Sequence, residues 1–265
     1  MPESKQPEPP RSRAAQRREA ARKAREARER RRRLIGIIVV VIVLAGAGIG
    51  IGFAVAGGSN GSRTASGTAT PTVQSGSLAS LGTLEQPGPQ GPTGPEGIPI
   101  PNVPQLTGTS TIATGNTVDG IQCNTSEQVV YHIHAHLTVF VNGSQRQIPY
   151  GIGIPNAQAT QTAQGPFVEE GSCFYWLHTH AADGIIHIES PAQKTYTLGD
   201  FFDIWGQPLS PTQVGPAKGT VVALYNGQHY LGNPRDIPLT AHANIQLEVG
   251  KPLVAPVIVQ SWGGL

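Results

Sequence analysis

Sulfur is scarce in this chain: Met1 is the one methionine, and Cys123 and Cys173 are the two cysteines. Cu(I), which prefers thiolate and thioether ligands, has almost nothing to bind. The sequence also lacks a Gly-rich phosphate loop, a Gly-x-Ser-x-Gly elbow and a His-Glu-x-x-His helix motif. Phosphoryl transfer, serine hydrolysis and zincin-type catalysis are therefore disfavoured. No Glu follows His136 at the offset a cupin would use. Basic residues are few beyond residue 56, six against twelve acidic ones (6 − 12 = −6), and that balance excludes nucleic acid as an expected partner.

The opposite balance holds at the start. Residues 1–33 carry eleven Arg and two Lys against five Glu (13 − 5 = +8), so the formal net of +2 hides two opposed halves. Residues 34–56 follow, 23 in a row without a charge or a hydroxyl, or about 34 Å of helix at ~1.5 Å per residue. This is long enough to cross a bilayer. Ala54-Val55-Ala56 before Gly57 mimics a signal-peptide cleavage site, but such peptides have shorter apolar cores, about 7–15 residues. A retained signal-anchor is the expectation. The abutting Arg cluster sets a single-pass orientation, with 1–33 cytoplasmic and the C-terminal part extracytoplasmic at the cell membrane. The basic segment, rich in helix formers, needs no partner beyond lipid headgroups.

Residues 57–115 are dominated by Gly, Ser, Thr and Pro, a composition expected to stay disordered as a tether. Within it Gly88, Gly91, Gly94 and Gly97 recur every third residue, a short collagen-like stretch read as a stiff polyproline spacer.

From residue 116 to 265 the pattern changes to short Val, Ile, Tyr and Phe-rich runs of period two, punctuated by Asn142-Gly143, Asp183-Gly184 and Asn226-Gly227. Strands are expected at 128–141, 145–148, 173–180, 185–189, 221–225 and 244–249. One short helix is expected at 198–205, where Thr197 and Asp200 form a capping-box pattern before Phe201, Phe202 and Trp205. The fold class is therefore mainly β, an α+β domain with one antiparallel or mixed sheet, built as a β-sandwich or β-grasp. The ending, from Tyr225-Asn226-Gly227 through Ile237-Pro238-Leu239 to Ile245-Gln246-Leu247-Glu248-Val249, resembles the last hairpin and strand of ubiquitin-like β-grasp folds. Both cysteines lie on the side that oxidising conditions reach, so a Cys123–Cys173 disulfide is expected.

All eight histidines lie between residues 132 and 242, and six form two clusters: His132-Ile133-His134-Ala135-His136, and His178-Thr179-His180 with His187. On a strand, alternate residues share a face, so the first cluster sets three imidazoles opposite an apolar face. Side chains two apart start about 6.5 Å from each other, which lets two converge on one ion but not three. The adjacent pair His134 and His136 is therefore expected to join the second cluster, with His132 behind it. A tight turn at Ala182-Asp183 that paired residues 181 and 184 would place His178 opposite His187, gathering His178, His180, His187 and Glu189 on one patch, and a three-residue turn would break this register. His134, His136, His178 and His180 lead as ligands, His187 follows, and His132 and His242 are extras. His229, alone in its segment, is read as a non-ligand.

Imidazole with carboxylate suits a divalent metal ion such as Zn, Cu(II) or Fe. Capture, sensing or delivery of such an ion is the leading function. The alternatives are a metal-dependent enzyme with three His ligands, in which Asp183, Glu189 or Glu169 serves as base, and a metal-free adhesion or scaffold module. The block Cys173-Phe174-Tyr175-Trp176-Leu177-His178-Thr179-His180, with Gly184-Ile185-Ile186-His187-Ile188-Glu189-Ser190-Pro191, resembles one that recurs in uncharacterised secreted or membrane-anchored His-rich proteins, whose first cluster is similar to 131–143 here. That resemblance covers most of 120–250 and implies one intact domain without implying an activity.

Overall fold

The computed structural model describes residues 73–109 and 114–265. The basic segment 1–33 and the apolar run 34–56, with the anchor expected there, lie outside the described residues. Among the described residues no helix is long and apolar enough to cross a membrane.

Period-two alternation organises the domain. An eight-stranded sheet is built from β1 (Ser75–Gly76), β2 (Tyr131–Val141), β3 (Ser144–Arg146), β4 (Leu177–His178), β5 (Ile185–Ser190), β6 (Val221–Tyr225), β7 (Gln228–Tyr230) and β8 (Ala243–Val249). Its order is β1-β7-β6-β8-β2-β5-β4, with β3 folded back on β2. The central pair β2 and β8 is parallel, Ala135 opposite Ala243 and Leu137 opposite Ile245, and the other pairs are antiparallel. Ala135, Leu137 and Val139 of β2 share an apolar face with Ile245, Leu247 and Val249 of β8 and with Ile186 and Ile188 of β5, all buried.

Helix α1 (Leu198–Trp205) crosses from β5 to β6 and packs into that core. Thr197 and Asp200 close the expected capping box, and Gly206 ends the helix in the left-handed conformation at φ 68°. Phe201, Phe202 and Trp205 are fully buried, each stabilising the fold by roughly 1.5–3 kcal/mol through transfer from water. The remaining sheets have two or three strands, so the core is closed by a helix where a sandwich would have needed a second large sheet.

Strand limits shift by one to three residues, and two of the differences bear on the site. β2 starts at Tyr131, and the preceding Val129 and Val130 are 59% and 81% exposed. The run expected as one strand over 173–180 breaks at Trp176: Phe174–Tyr175 pairs with Cys123–Asn124, while β4 pairs with β5. Trp176, between the two pieces, still accepts from Glu189 N–H of β5 at 2.8 Å while its indole N–H donates to Asn124 Oδ1 at 2.7 Å. His180 therefore lies beyond the strand end.

The larger correction concerns residues 73–109, expected as part of a disordered tether. β1 pairs with β7 at the sheet edge, and Ile98 and Leu106 are buried. The collagen-like stretch is no rod: Gly94 N–H donates to Ile98 O at 2.8 Å and Ile100 N–H to Pro92 O at 2.9 Å, closing a hairpin with Pro95 and Glu96 at its tip. A Cβ on Gly91 would lie 1.6 Å from Ile100 O and one on Gly94 3.0 Å from Ile98 O, so these two glycines serve close backbone approach within one chain. The hairpin stays docked because the sheet's second face needs cover. That face carries Asn244, Gln246 and Glu248, whose side chains hold the C-terminal segment: Val259, Val257 and Val254 N–H donate to Asn244 Oδ1, Gln246 Oε1 and Glu248 Oε2 at 2.7–2.8 Å. Glu85 pairs in turn with that segment, through Leu253 O and Ala255 N.

Cys123 and Cys173 form the expected disulfide, 50 residues apart in sequence, beside the Cys123–Asn124 and Phe174–Tyr175 pairing that leads into β4. Replacing both with Ser is expected to lower the unfolding free energy by about 2–4 kcal/mol through the freed loop of the unfolded chain. Denaturant unfolding measures this, and a change under about 0.5 kcal/mol would remove the constraint from the account.

Candidate metal centre

Three neighbouring strands align the imidazoles. His134 of β2 is opposite His187 of β5, and His187 is opposite His178 of β4, so the three rings form a row across the sheet. His132 stands opposite Glu189 in the next row. Of the two registers left open at Ala182-Asp183, the one that sets His178 opposite His187 is present, and Ile185 N–H donates to Asp183 Oδ1 at 3.1 Å within the turn. Gly184 is required there, because a Cβ would meet Leu137 O at 2.4 Å.

The potential ligand atoms fall into two groups, each within 4.8 Å: His178, His180, His187 and Glu189, and His132, His134 and His187. In the first, His178 Nε2 and His180 Nε2 are 3.0 Å apart. In the second, His134 Nε2 lies 3.0 Å from His132 Nε2 and 3.1 Å from His187 Nδ1. Glu189 Oε1 is 3.0 Å from His132 Nε2 and 3.3 Å from His187 Nδ1, and its Oε2 is 4.0 Å from His178 Nε2. Two donors about 2.1 Å from one ion lie about 3.0 Å apart at a right angle and about 3.4 Å apart in a tetrahedron, so these separations match shared coordination. Buried His and Glu clusters of this kind can hold a metal ion.

Two carboxylates join the site that the sequence did not point to. Glu96, at the tip of the docked hairpin, places Oε1 2.6 Å from His187 Nε2, with its side chain only 4% exposed. Glu127, just before β2, lies 3.5 Å from His180 Nε2. The one sequence signal for Glu96 is the turn chemistry of Gly94-Pro95-Glu96-Gly97, Pro second and Gly fourth, which marks a turn but not its destination.

Other expected residues lie elsewhere. His136, named with His134 as the leading pair, donates its Nε2–H to Asp183 O at 2.9 Å and faces Thr138 Oγ1 through Nδ1 at 3.4 Å. Both nitrogens are engaged, and the first cluster contributes His132 and His134 instead. His242 is exposed, stacked on Trp262 with Nε2 3.2 Å from Leu265 O, and belongs to neither group. His229 lies on β7 beside Ser80. Of the three candidate bases, Glu189 is part of the donor set and Glu169 is exposed on the strand Gly165–Glu170. Asp183 is buried with Oδ2 unpaired, and burial together with the nearby Glu96 pushes its carboxyl up to about 8.

Burial governs the charges. It lowers His134 to about 3, with His187 and His132 adding to the effect, and lowers His136 to about 4. His178 is held well below the ordinary value, and His180 is lowered as well. Burial would also depress His187, but Glu189 and Glu96 outweigh it and push that ring up to about 9. Burial opposes ionisation of Glu189, yet His132 and His187 hold its carboxyl far below the usual range.

A comparison with family models, with curated proteins and with solved structures finds no match to this chain.

A pH dependence follows for the metal-free chain. A histidine depressed by folding binds its proton mainly when unfolded, so its stabilisation is present above about 6.5 and is lost as pH falls toward the folded value, about 4 for His136. His187 runs the other way, its contribution full below about 6.5 and lost as pH rises through about 9. Melting temperature should therefore drop between pH 7 and pH 5, and His136→Gln should flatten that slope. Equal slopes in the two chains would show that His136 is not buried as described.

Proposed function

We propose that this protein is a membrane-anchored, extracytoplasmic metal-binding module that captures or delivers a divalent ion through clustered histidines. One observation carries the reading. His178 Nδ1 lies 2.8 Å from Tyr175 O, and His180 Nδ1 is within hydrogen-bond reach of Val168 O. A carbonyl only accepts, so both Nδ1 atoms carry the ring proton, and the two Nε2 lone pairs are left facing each other at 3.0 Å. Burial disfavours putting a proton between them. A shared metal ion relieves the repulsion, and backbone carbonyls behind each ring are the usual partners of a metal-bound histidine.

The donors are nitrogen and carboxylate oxygen with no thiol, since both cysteines are bridged, which supports Zn, Cu(II) or Fe. The strand order, with a parallel central pair and the helix crossing before the last three core strands, supports a β-grasp-like framework. The charge step around 34–56 supports a single-pass anchor in the lipid bilayer, and the disulfide fits an oxidising exterior. The resemblance of the 173–191 block to membrane-anchored His-rich proteins points the same way.

Elemental analysis of the full-length chain, purified in detergent without an affinity tag, tests this. At least one equivalent of Zn, Cu or Fe is expected, falling at least by half in a His178→Ala, His180→Ala chain. A chain that neither retains nor takes up any of the three ions would overturn the reading.

A further inference from the structure

Resting on that metal-binding reading, we infer that the centre takes two divalent ions side by side, with the Glu189 carboxylate bridging them. The donors already separate into two groups that share His187, and each has its own crowding of ring nitrogens. In the first group the facing Nε2 atoms of His178 and His180 need a cation between them, as argued above. An ion placed there leaves the second group unrelieved. His134 Nε2 still meets His132 Nε2 at 3.0 Å and His187 Nδ1 at 3.1 Å, and one nitrogen, with either one proton or one lone pair, makes one good hydrogen bond and not two.

Glu189 faces both groups with different atoms. Oε1 lies 3.0 Å from His132 Nε2 and 3.3 Å from His187 Nδ1, on the side of the second group. Oε2 lies 4.0 Å from His178 Nε2, on the side of the first, and is buried with no hydrogen-bond partner. An unpaired buried carboxylate oxygen is costly, and an ion ligated by His178 and His180 supplies the missing partner. His187 belongs to both groups and offers its single lone pair to one ion, with Nδ1 toward His134 and Glu189 and Nε2 toward Glu96. Glu127, 3.5 Å from His180 Nε2, adds an oxygen donor at the outer edge of the first group. The set of His132, His134, His178, His180, His187, Glu189, Glu96 and Glu127 exceeds the four ligands that close a single zinc site and suits two ions of four or five ligands each.

Equilibrium dialysis of the full-length chain against Zn(II), followed by metal and protein quantitation, reads the stoichiometry directly. Two Zn(II) per chain are expected, falling to one in His178→Ala, His180→Ala and to one in His132→Ala, His134→Ala, with circular dichroism confirming that each variant is folded. The unsubstituted chain loaded with Cu(II) adds a test independent of substitution: two neighbouring ions give a half-field electron paramagnetic resonance signal, which Glu189→Gln weakens. One Zn(II) per chain, with no half-field signal on Cu(II) loading, would overturn the two-ion inference and leave the metal-binding module standing. No Zn(II) and no Cu(II) bound would remove both.

Discussion

Strand β2 has to bury both of its faces, and only one of them is apolar. Ala135, Leu137 and Val139 meet α1 and the rest of the core, as any half-buried strand would, while His134, His136 and Thr138 are buried on the reverse. A buried imidazole without partners is costly, so everything packed over that face must supply hydrogen-bond acceptors, carboxylates or a cation. The structure meets the demand position by position. Asp183 O and Thr138 take His136, Tyr175 O and Val168 O take the Nδ1 atoms of His178 and His180, and Glu96 and Glu189 take His187. The nitrogens left over are those that face one another.

The same constraint explains why the flanking segments are ordered. A Gly, Pro and Ser-rich stretch lacks the apolar area to fold alone, so composition predicts a tether over 57–115. A polar sheet face offers such a stretch other partners: Asn244, Gln246 and Glu248 capture the backbone of the C-terminal segment, which pairs with Glu85, and His187 captures Glu96. Composition reports what a segment can bury of its own, and these contacts are borrowed from the neighbouring surface.

Local signals were the legible ones. Period-two alternation located β2, β5, β6 and β8, and the Thr197–Asp200 spacing located α1. The Asp183-Gly184 turn was legible as a turn, and the register that brings His178 opposite His187 was one of two it allowed. What failed was the choice among equivalent imidazoles. His132, His134 and His136 share a face, and spacing alone cannot tell which has its nitrogens taken. Asp183 O decides it for His136, and that carbonyl is a backbone atom of the turn, invisible to a search for ligand side chains. Glu96 was hidden for the complementary reason: it is more than ninety residues from its partner and arrives on a turn whose sequence describes only its own bend.

His187 is where the fold and the chemistry meet. It sits opposite His134 on one side and His178 on the other, so the antiparallel registers of β2, β5 and β4 all bear on its position, and a one-residue slip in either would carry its ring to the apolar face. Its two carboxylate partners come from different places, Glu189 from its own strand and Glu96 from the docked hairpin. Those two carboxylates raise His187 to about 9, so in the metal-free chain its proton compensates them at neutral pH, a task that a cation bound there would take over as the ring gave the proton up. Docking of the hairpin and the charge on this face are therefore linked: the hairpin brings Glu96 to 2.6 Å from His187 Nε2, and the positive ring favours the burial of both carboxylates beside it.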